Sequence, residues 1–338
     1  MTIARSFTNG FQLTDVSESI LLIPNTWGLI NELGMFSPES VSQNTITIES
    51  TTGTLGLITD RIRGDRNNVN RDDNRVLRSM PLGHFPLDDS VKPDDIQGIR
   101  AYGTSEVAET EANVIARKLE RIRRNHAVTL EFARAQAITQ GTVYAPNGTI
   151  SGNFYTEFGV TRKEIDFVLG TATTNILGKS EEGIAHIQDN IMSGEAVSNI
   201  IVLCSPEFFA KLIDHASVKE AYKYYSSTQE PLRQRLGTGI YRRFLHGSVE
   251  YIEVRSSYNG QRLIPVGEAY MLPQGTTDTF KTYFGPANKF SFTNTLGEQA
   301  YVWVNRDQND SEITIQSESN FLNLIRRPQC VVKLTTSN

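Results

Sequence analysis

The chain has 338 residues, with 33 Lys plus Arg against 38 Asp plus Glu for a net charge of -5, 38% hydrophobic residues and 25 glycines. At ~100 to 200 residues per domain this length allows two or three domains with a sizeable core, and the composition excludes disordered, collagen-like and fibrous chains. The acidic balance excludes a protein whose main task is gripping bare phosphate backbone, while leaving room for a local basic patch.

Residues 1 to about 40 scatter Phe7, Phe11, Leu13, Ile20 to Ile23 and Trp27 among Pro24, Pro38 and polar spacers. Such a stretch cannot enclose a core alone, so it reads as an arm whose aromatics are buried against another part of the chain or another subunit. One early Arg and no long apolar run argue against a signal peptide, and nowhere do ~18 apolar residues follow one another. Neither secretion by that route nor a membrane span is expected, which leaves the glycosylation triplets at Asn147 and Asn309 without meaning.

Thr45 to Glu49 alternates strictly, and Leu55 to Ile58 follows Gly53, as in strands. Residues 64 to 74 (GDRNNVNRDDN) hold a single apolar residue, Val69, and Arg75 to Pro81 is extended again. Residues 45 to 82 are therefore predicted as a long hairpin with a charged tip and little core of its own. Leu82 to Gly103, with two prolines and two Asp pairs, reads as a connecting loop.

Thr104 or Ser105 is expected to cap a helix with Glu106, Glu109 and Glu111 at its positive end. Ala108, Ala112, Ile115, Leu119, Ile122, His126, Leu130, Ala133 and Ala137 follow at steps of three or four, and Gly141 supplies the stop. The helix so predicted is about 36 residues and ~54 Å long. Arg117, Lys118, Glu120, Arg121, Arg123 and Arg124 crowd its middle, read as a solvated face with i to i+4 ion pairs. Past the Pro146-Asn147-Gly148 turn, extended runs are expected near Phe154 to Phe158 and Ile165 to Leu169, then a helix from about Ser180 to Ser193. Asn199 to Cys204 reads as a buried strand, followed by a helix with Ser205 as cap and Pro206 at its first position. Strands are expected at Val249 to Val254, Arg262 to Val266, Ala269 to Leu272, Thr279 to Tyr283, Tyr301 to Val304, Glu312 to Ser317 and Val331 to Leu334. The fold class is α+β with mainly antiparallel pairing, since strands follow one another without intervening helices.

Catalytic signatures are missing from the sequence: it has no nucleophile elbow, no phosphate-binding loop and no zinc helix. Arg242 stands where a dinucleotide motif starting at Gly237 needs its third glycine, and the five histidines show no ligand spacing. Asp307, Asn309, Ser311, Ile313, Ile315 and Glu318 have calcium-loop spacing, but Glu312 replaces the required glycine and the segment alternates as a strand. Asp88-Asp89 and Asp94-Asp95 read as solvated acids, and Cys204 and Cys330 as small buried hydrophobes. No cofactor, metal site or catalytic residue is expected. The sharpest signal is the hairpin, where Arg61, Arg63, Arg66, Arg71, Arg75 and Arg78 interleave with Asp60, Asp65, Asp72 and Asp73. Mixed charge on a projecting loop suits docking on a complementary protein surface through Arg to carboxylate pairs.

The order of parts, with Ser198 to Tyr222 (opening SNIIVLCSPEFFAKL), Leu263 to Gly285 and Ser311 to Leu334 (opening SEITIQSESNFLNLIRRP), resembles the tailed-phage major capsid proteins, in particular the lambda-type capsid protein E family. The resemblance implies an N-terminal arm (1–40), an extended loop with connector (41–103), a peripheral domain with a spine helix (104–177 plus 299–338) and an axial domain (178–298). It implies a non-enzymatic virion protein whose partners are itself, as hexamers and pentamers of an icosahedral head assembled in the bacterial cytoplasm, and weakly held double-stranded DNA. A separate scaffolding protein, a portal and a decoration protein complete the expected partners, and no covalent cross-linking is expected. The interface residues so expected are Arg61, Arg63, Arg66, Arg71, Arg75, Arg78, Asp72, Asp73, Phe7, Phe11 and Trp27. Two other readings stay open from sequence: an encapsulin-like cargo compartment, and an ordinary enzyme with a pocket in residues 178–298.

Overall fold

The structure, a computed structural model, describes residues 28–52, 74–97, 110–143, 152–191, 195–219, 241–258, 260–309 and 311–337. In chain order these hold α1 (Leu29–Glu32), β1 (Ser37–Ser40), β2 (Thr45–Thr52), β3 (Asn74–Pro81), β4 (Gly83–Val91), α2 (Glu111–Gln140), α3 (Phe154–Phe158), β5 (Glu164–Asp166) and α4 (Ile176–Asn190). There follow β6 (Asn199–Cys204), α5 (Pro206–Asp214), β7 (Arg243–His246), β8 (Val249–Glu253), β9 (Ser257–Tyr258), β10 (Gln261–Arg262), β11 (Ala269–Gln274), β12 (Phe280–Phe284), β13 (Tyr301–Arg306), β14 (Ile313–Ile325) and β15 (Val332–Thr335).

Thirteen residues long, β14 is the spine of the first sheet. It pairs antiparallel with β4 from Ile313↔Val91 to Phe321↔Gly83, with β13 from Ile313↔Arg306 to Glu318↔Tyr301, and with β12 from Phe321↔Phe284 to Ile325↔Phe280. β1 extends the sheet parallel to β12. Alternation sends Phe85, Leu87 and Val91 of β4 and Ile313 and Ile315 of β14 to the face on which α2 lies, against Val114, Ile122 and Leu130. Phe85 stacks on Phe321 at 4.3 Å between ring centroids.

The second sheet runs β5-β15-β11-β6-β8-β7. Its central strand, β6, buries Ile200 to Cys204, as the apolar run predicts. One face, with Val202, Tyr251 and Met271, packs against Ile176 and Ile187 of α4 and Phe208, Phe209 and Leu212 of α5. Ile201, Leu203, Ile252 and Leu272 on the other face meet Ala135 and Ile138 of α2, Leu29 and Ile30 of α1, and Leu322 and Leu324 of β14. This junction welds the two sheets into one core.

Local signals account for several boundaries. Ser205 accepts the Phe208 amide with Pro206 at the first helical position, and α2 ends on Gly141 at φ 69°. Ion pairing on α2 includes the expected i to i+4 contact between Glu120 and Arg124. Other expectations need correction. The cap of α2 is Thr110, whose Oγ1 accepts the Asn113 amide at 3.3 Å, so the helix is 30 residues long and cannot be capped by Thr104 or Ser105. The expected connecting loop after Leu82 contains β4, and Pro86 is tolerated because β4 pairs with β14 alone among the described strands. Phe154–Phe158 is not a strand but the turn of helix α3, set by Asn153 capping the Tyr155 amide and by Gly159 at φ 63°. The second helix is shifted to Ile176–Asn190, with Asn175 as its cap. Of the expected run Arg262 to Val266 only Arg262 is strand, paired in β10 with Gln261 before it, and β14 reaches eight residues beyond the expected end at Ser317 because Phe321 to Ile325 pairs with β12. Pairing is mainly antiparallel, with β1–β12, β5–β15 and β6–β8 the parallel pairs.

The linker from β12 to β13 folds back tightly: the Gly297 amide donates to Val41 O at 3.0 Å, and a Cβ on Gly297 would lie 2.2 Å from Phe284 O. A backbone atom cannot yield as a side chain does. Gly297→Ala is therefore expected to lower unfolding free energy by about 3 kcal/mol. Gly34→Ala, strained only by φ 60° with open space around it, is expected to cost about 1 kcal/mol. Urea unfolding of both variants checks the order, and equal midpoints would contradict it.

Candidate subunit interface

The hairpin forms as predicted at its stem, with β2 and β3 paired from Thr45↔Pro81 to Thr52↔Asn74. Its tip, with Arg61, Arg63, Arg66, Arg71, Asp72 and Asp73, lies outside the described residues, as do the second expected strand at Leu55 to Ile58 and Phe7, Phe11 and Trp27 of the arm. Arg75 stands in β3 opposite Thr51. Arg78 is the one expected interface residue whose side-chain surroundings are described.

The stem is two-faced. Ile46, Ile48 and Met80 are buried in the junction core, so the hairpin has more core at its root than the sequence suggests. Arg78 shares that face by register: its guanidinium lies 5.6 Å from the Phe158 ring centroid, and its Nη1 is buried without a hydrogen-bond partner. Arg78 is thus a root residue that stiffens the stem, with packing as its visible role. On the opposite face Leu77 is 70% exposed. A large apolar side chain carried outward on a rooted ribbon is a contact in want of a partner.

A groove of about 770 Å³ opens at the hairpin root, lined by Asn44, Leu82 and His84 and, across from them, Lys289, Phe290 and Asn294. Nearby, a Cβ on Gly285 would lie 2.6 Å from Leu82 Cδ2, so the glycine lets that side chain lie close to its backbone. Lys289 Nζ sits 3.7 Å over the Trp303 ring, Tyr301 stacks on Trp303, and Phe292 meets both rings edge-on, which packs the linker onto β13. Phe290 projects from it fully exposed, Leu296 is 68% exposed, and Val302 and Val304 of β13 are nearly half exposed. β13 is also an end strand of its sheet among the described strands.

Sequence reasoning missed this second patch. Its signal is Phe290-Ser291-Phe292-Thr293-Asn294, two aromatics among small and polar residues, of which Phe292 is half-buried against Tyr301 and Trp303 and Phe290 is fully exposed.

The acids and bases flanking α2 are largely engaged. Lys118 Nζ binds Asp89 at 2.9 Å and the Ser90 carbonyl at 2.5 Å, and Arg306 binds Glu111 at 2.6 Å. Burial raises the Asp89 pKa, but the Lys118 and Ser90 hydrogen bonds outweigh it and hold the carboxyl below its ordinary value. Asp88-Asp89 therefore serves an edge strand and its helix. Three of the expected structural histidines are engaged through their rings, His84 with Asn320, His126 with Ser317, and His215 with Ser217 and the Thr171 carbonyl, while His186 Nδ1 lies 3.4 Å from Asn190 Nδ2 and its Nε2 is buried without a partner. Cys204 and Cys330 are free and buried, and burial pushes the Cys330 thiol up to about 12. Asp307 accepts from Ser311 and the Gln308 amide in a turn feeding β14, and no group of acids, His and Cys suited to a metal occurs among the described residues. No helix among them is long and apolar enough to cross a membrane.

Residues 12–336 match the family model for phage major capsid protein E. The major capsid protein of Pseudomonas phage KPP10 is 46% identical over 343 residues, covering 97% of each chain. That of Salmonella phage Felix O1 (isolate Felix O1-VT1) is 30% identical over 355 residues, covering 95% of each. Among solved structures, the capsid of Cyanophage P-SCSP1u superposes with TM-score 0.57 at 11% identity, over 96% of this chain and 93% of that one. The mature capsid of bacteriophage PhiM1 gives TM-score 0.54 at 14% identity, over 97% and 91%. At such identities the likeness is one of fold.

Because Leu77 touches solvent in the single chain, Leu77→Asp is expected to leave unfolding free energy within about 0.5 kcal/mol of wild type. It is expected to reduce self-association at least severalfold in sedimentation velocity, and unchanged association would remove the outward stem face from the interface.

Proposed function

The chain belongs to the phage major capsid protein E family, and on that premise we propose that its copies join as hexamers and pentamers into an icosahedral head enclosing double-stranded DNA. It is a major capsid protein of the virion shell; the observation that carries this is 46% identity across 97% of the chain to a protein of that name. A cargo compartment of the encapsulin kind is not favoured beside such relatives. Membership of a structural family accords with a non-enzymatic role.

Within the subunit we propose an N-terminal arm (1–40), an extended loop and connector (41–103), a peripheral domain (104–177 plus 299–338) and an axial domain (178–298). Two sheets, one carrying α2 and the other α4 and α5, support two bodies, with β12 of the 178–298 range lying in the first sheet and β5 and β15 of the peripheral ranges in the second. The extended loop lies on a neighbouring copy, its Arg61, Arg63, Arg66, Arg71, Arg75, Asp72 and Asp73 meeting opposite charges there, and Phe7, Phe11 and Trp27 of the arm are buried by assembly. What supports this is the rooted stem with an exposed outer face, since a ribbon held only at one end gains stability by lying on another surface. Each contact is modest, and the closed shell draws its stability from their number. A separate scaffolding protein guides closure, a portal and a decoration protein complete the head, and the -5 net charge keeps DNA contact weak and sequence-independent.

Light scattering and negative-stain electron microscopy of the purified chain test this reading. Rings of five and six or closed particles are expected, with efficient closure only when a scaffold is co-expressed and single subunits after boiling in denaturant. A monomer or dimer under every condition would overturn the shell reading. Efficient closure without scaffold, or ladders that survive boiling, would overturn the scaffold and non-covalent proposals respectively.

Arg63→Glu, Arg71→Glu and Arg75→Glu together are expected to cut particle yield at least tenfold while the melting temperature of the unassembled chain moves by no more than a few degrees. Normal particles from the triple variant would refute charge docking by the loop.

A further inference from the structure

Glu131 is an acid in an apolar place. On α2, between Leu130 and Ala133, it is only 1% exposed. Both carboxyl oxygens reach across to α1, Oε1 accepting the Ile30 amide at 2.7 Å and Oε2 the Asn31 amide at 2.9 Å. These are first-turn amides that a capping side chain would normally satisfy, and the cap of α1 is Gly28, which has none. Arg134, one turn along, donates to Asn31 Oδ1 at 2.5 Å and to Thr282 Oγ1 at 3.0 Å, and its guanidinium lies 5.3 Å from the Phe36 ring centroid. The point where the first 27 residues join the described chain is thus held by two side chains of the spine helix, a hundred residues away in sequence.

We propose that Glu131 is a pH-graded latch that fastens α1 to the spine helix and grips more firmly as the pH falls. Burial pushes its carboxyl up to about 7, the Ile30 and Asn31 amides and Arg134 restrain the rise, and Glu32 on α1 adds to it. Tyr241, before β7, and Tyr258, on β9, face the same carboxyl; burial raises both phenols, so they stay neutral and do not titrate with it. When α1 lifts, water reaches Glu131 and its pKa returns toward the ordinary 4.5. The fastened state therefore holds the proton more tightly than the open one. Fastening is strongest below pH 4.5 and weakens as pH rises through about 7, by on the order of a hundredfold in equilibrium constant. Protonated, the carboxyl still accepts one amide through its carbonyl oxygen and no longer confines a charge away from water.

The device is independent of how the hairpin docks, and it can be read on the full chain by hydrogen exchange of peptides spanning residues 28–36, corrected for the intrinsic pH dependence of exchange. Wild type is expected to open roughly a hundredfold more at pH 8 than at pH 5. Glu131→Gln, which keeps one acceptor and cannot ionise, is expected to flatten that difference. Glu32→Gln leaves both bonds in place and is expected to move the midpoint to lower pH, which keeps the test decisive if Glu131→Gln folds poorly. Equal wild-type protection at both pH values, a slope unchanged in Glu131→Gln, or an unmoved midpoint in Glu32→Gln would each overturn the latch.

Discussion

Everything in this subunit hangs on satisfying the buried polar groups of β14. Ser317, Glu318, Ser319, Asn320 and Asn323 are all buried in that one strand, and a buried polar group without a partner costs about 1 to 3 kcal/mol. Most partners come from neighbouring segments: Ser317 donates to the Leu87 carbonyl, Glu318 accepts the Asn288 amide at 2.5 Å, Asn320 donates to the Pro286 carbonyl, and Asn323 accepts from Thr282 through Oδ1 while its Nδ2 is buried without a partner. To make those bonds β4 must lie on one edge, β12 and β13 must share the strand's length, and the 285–298 linker must fold back over it. A polar strand at the centre of a sheet specifies its neighbours more narrowly than an apolar one, because a shifted register leaves groups unpaired.

The same geometry explains how one chain can be stable alone and still carry surfaces meant for others. The junction core roots the hairpin stem through Ile46, Ile48 and Met80, and Glu131 with Arg134 holds α1 against α2. What the described surface presents is single exposed apolar residues, such as Leu77 on the hairpin stem and Phe290 on the linker between β12 and β13. Separate small contacts suit a shell, where the number of neighbours multiplies them.

Where local chemistry dominates, the residues announce their structure. Ser205-Pro206 starts α5, Gly141 stops α2, and the unbroken apolar run of β6 belongs to a strand covered on both faces. The hairpin stem was equally legible, since its alternation needs no partner beyond itself. Reading failed where a tertiary partner decides. HFPLDDSV looks like a loop because of its proline and acids, until β14 supplies a ladder on one side and Lys118 a counter-ion for Asp89. FYTEF looks extended until Asn153 and Gly159 close a helical turn around it.

The candidate interface divides the same way. The mixed charges of the hairpin and the aromatics of the arm are visible in the sequence because their composition is out of place in any core. Phe290 and Leu77 are not, because an aromatic or aliphatic residue in sequence carries no mark of which way it will point. Glu131 and Arg134 look like ordinary helix-surface charges and are buried only because α1 and β12 close over them. Composition, periodicity and capping chemistry, which act within a few residues, determined the α+β class, the hairpin stem, β6 with α5, and the stop of α2. Which charges are buried, which strand edges are covered and which apolar residues face outward depend on segments a hundred or more residues apart, and only the assembled core could decide them.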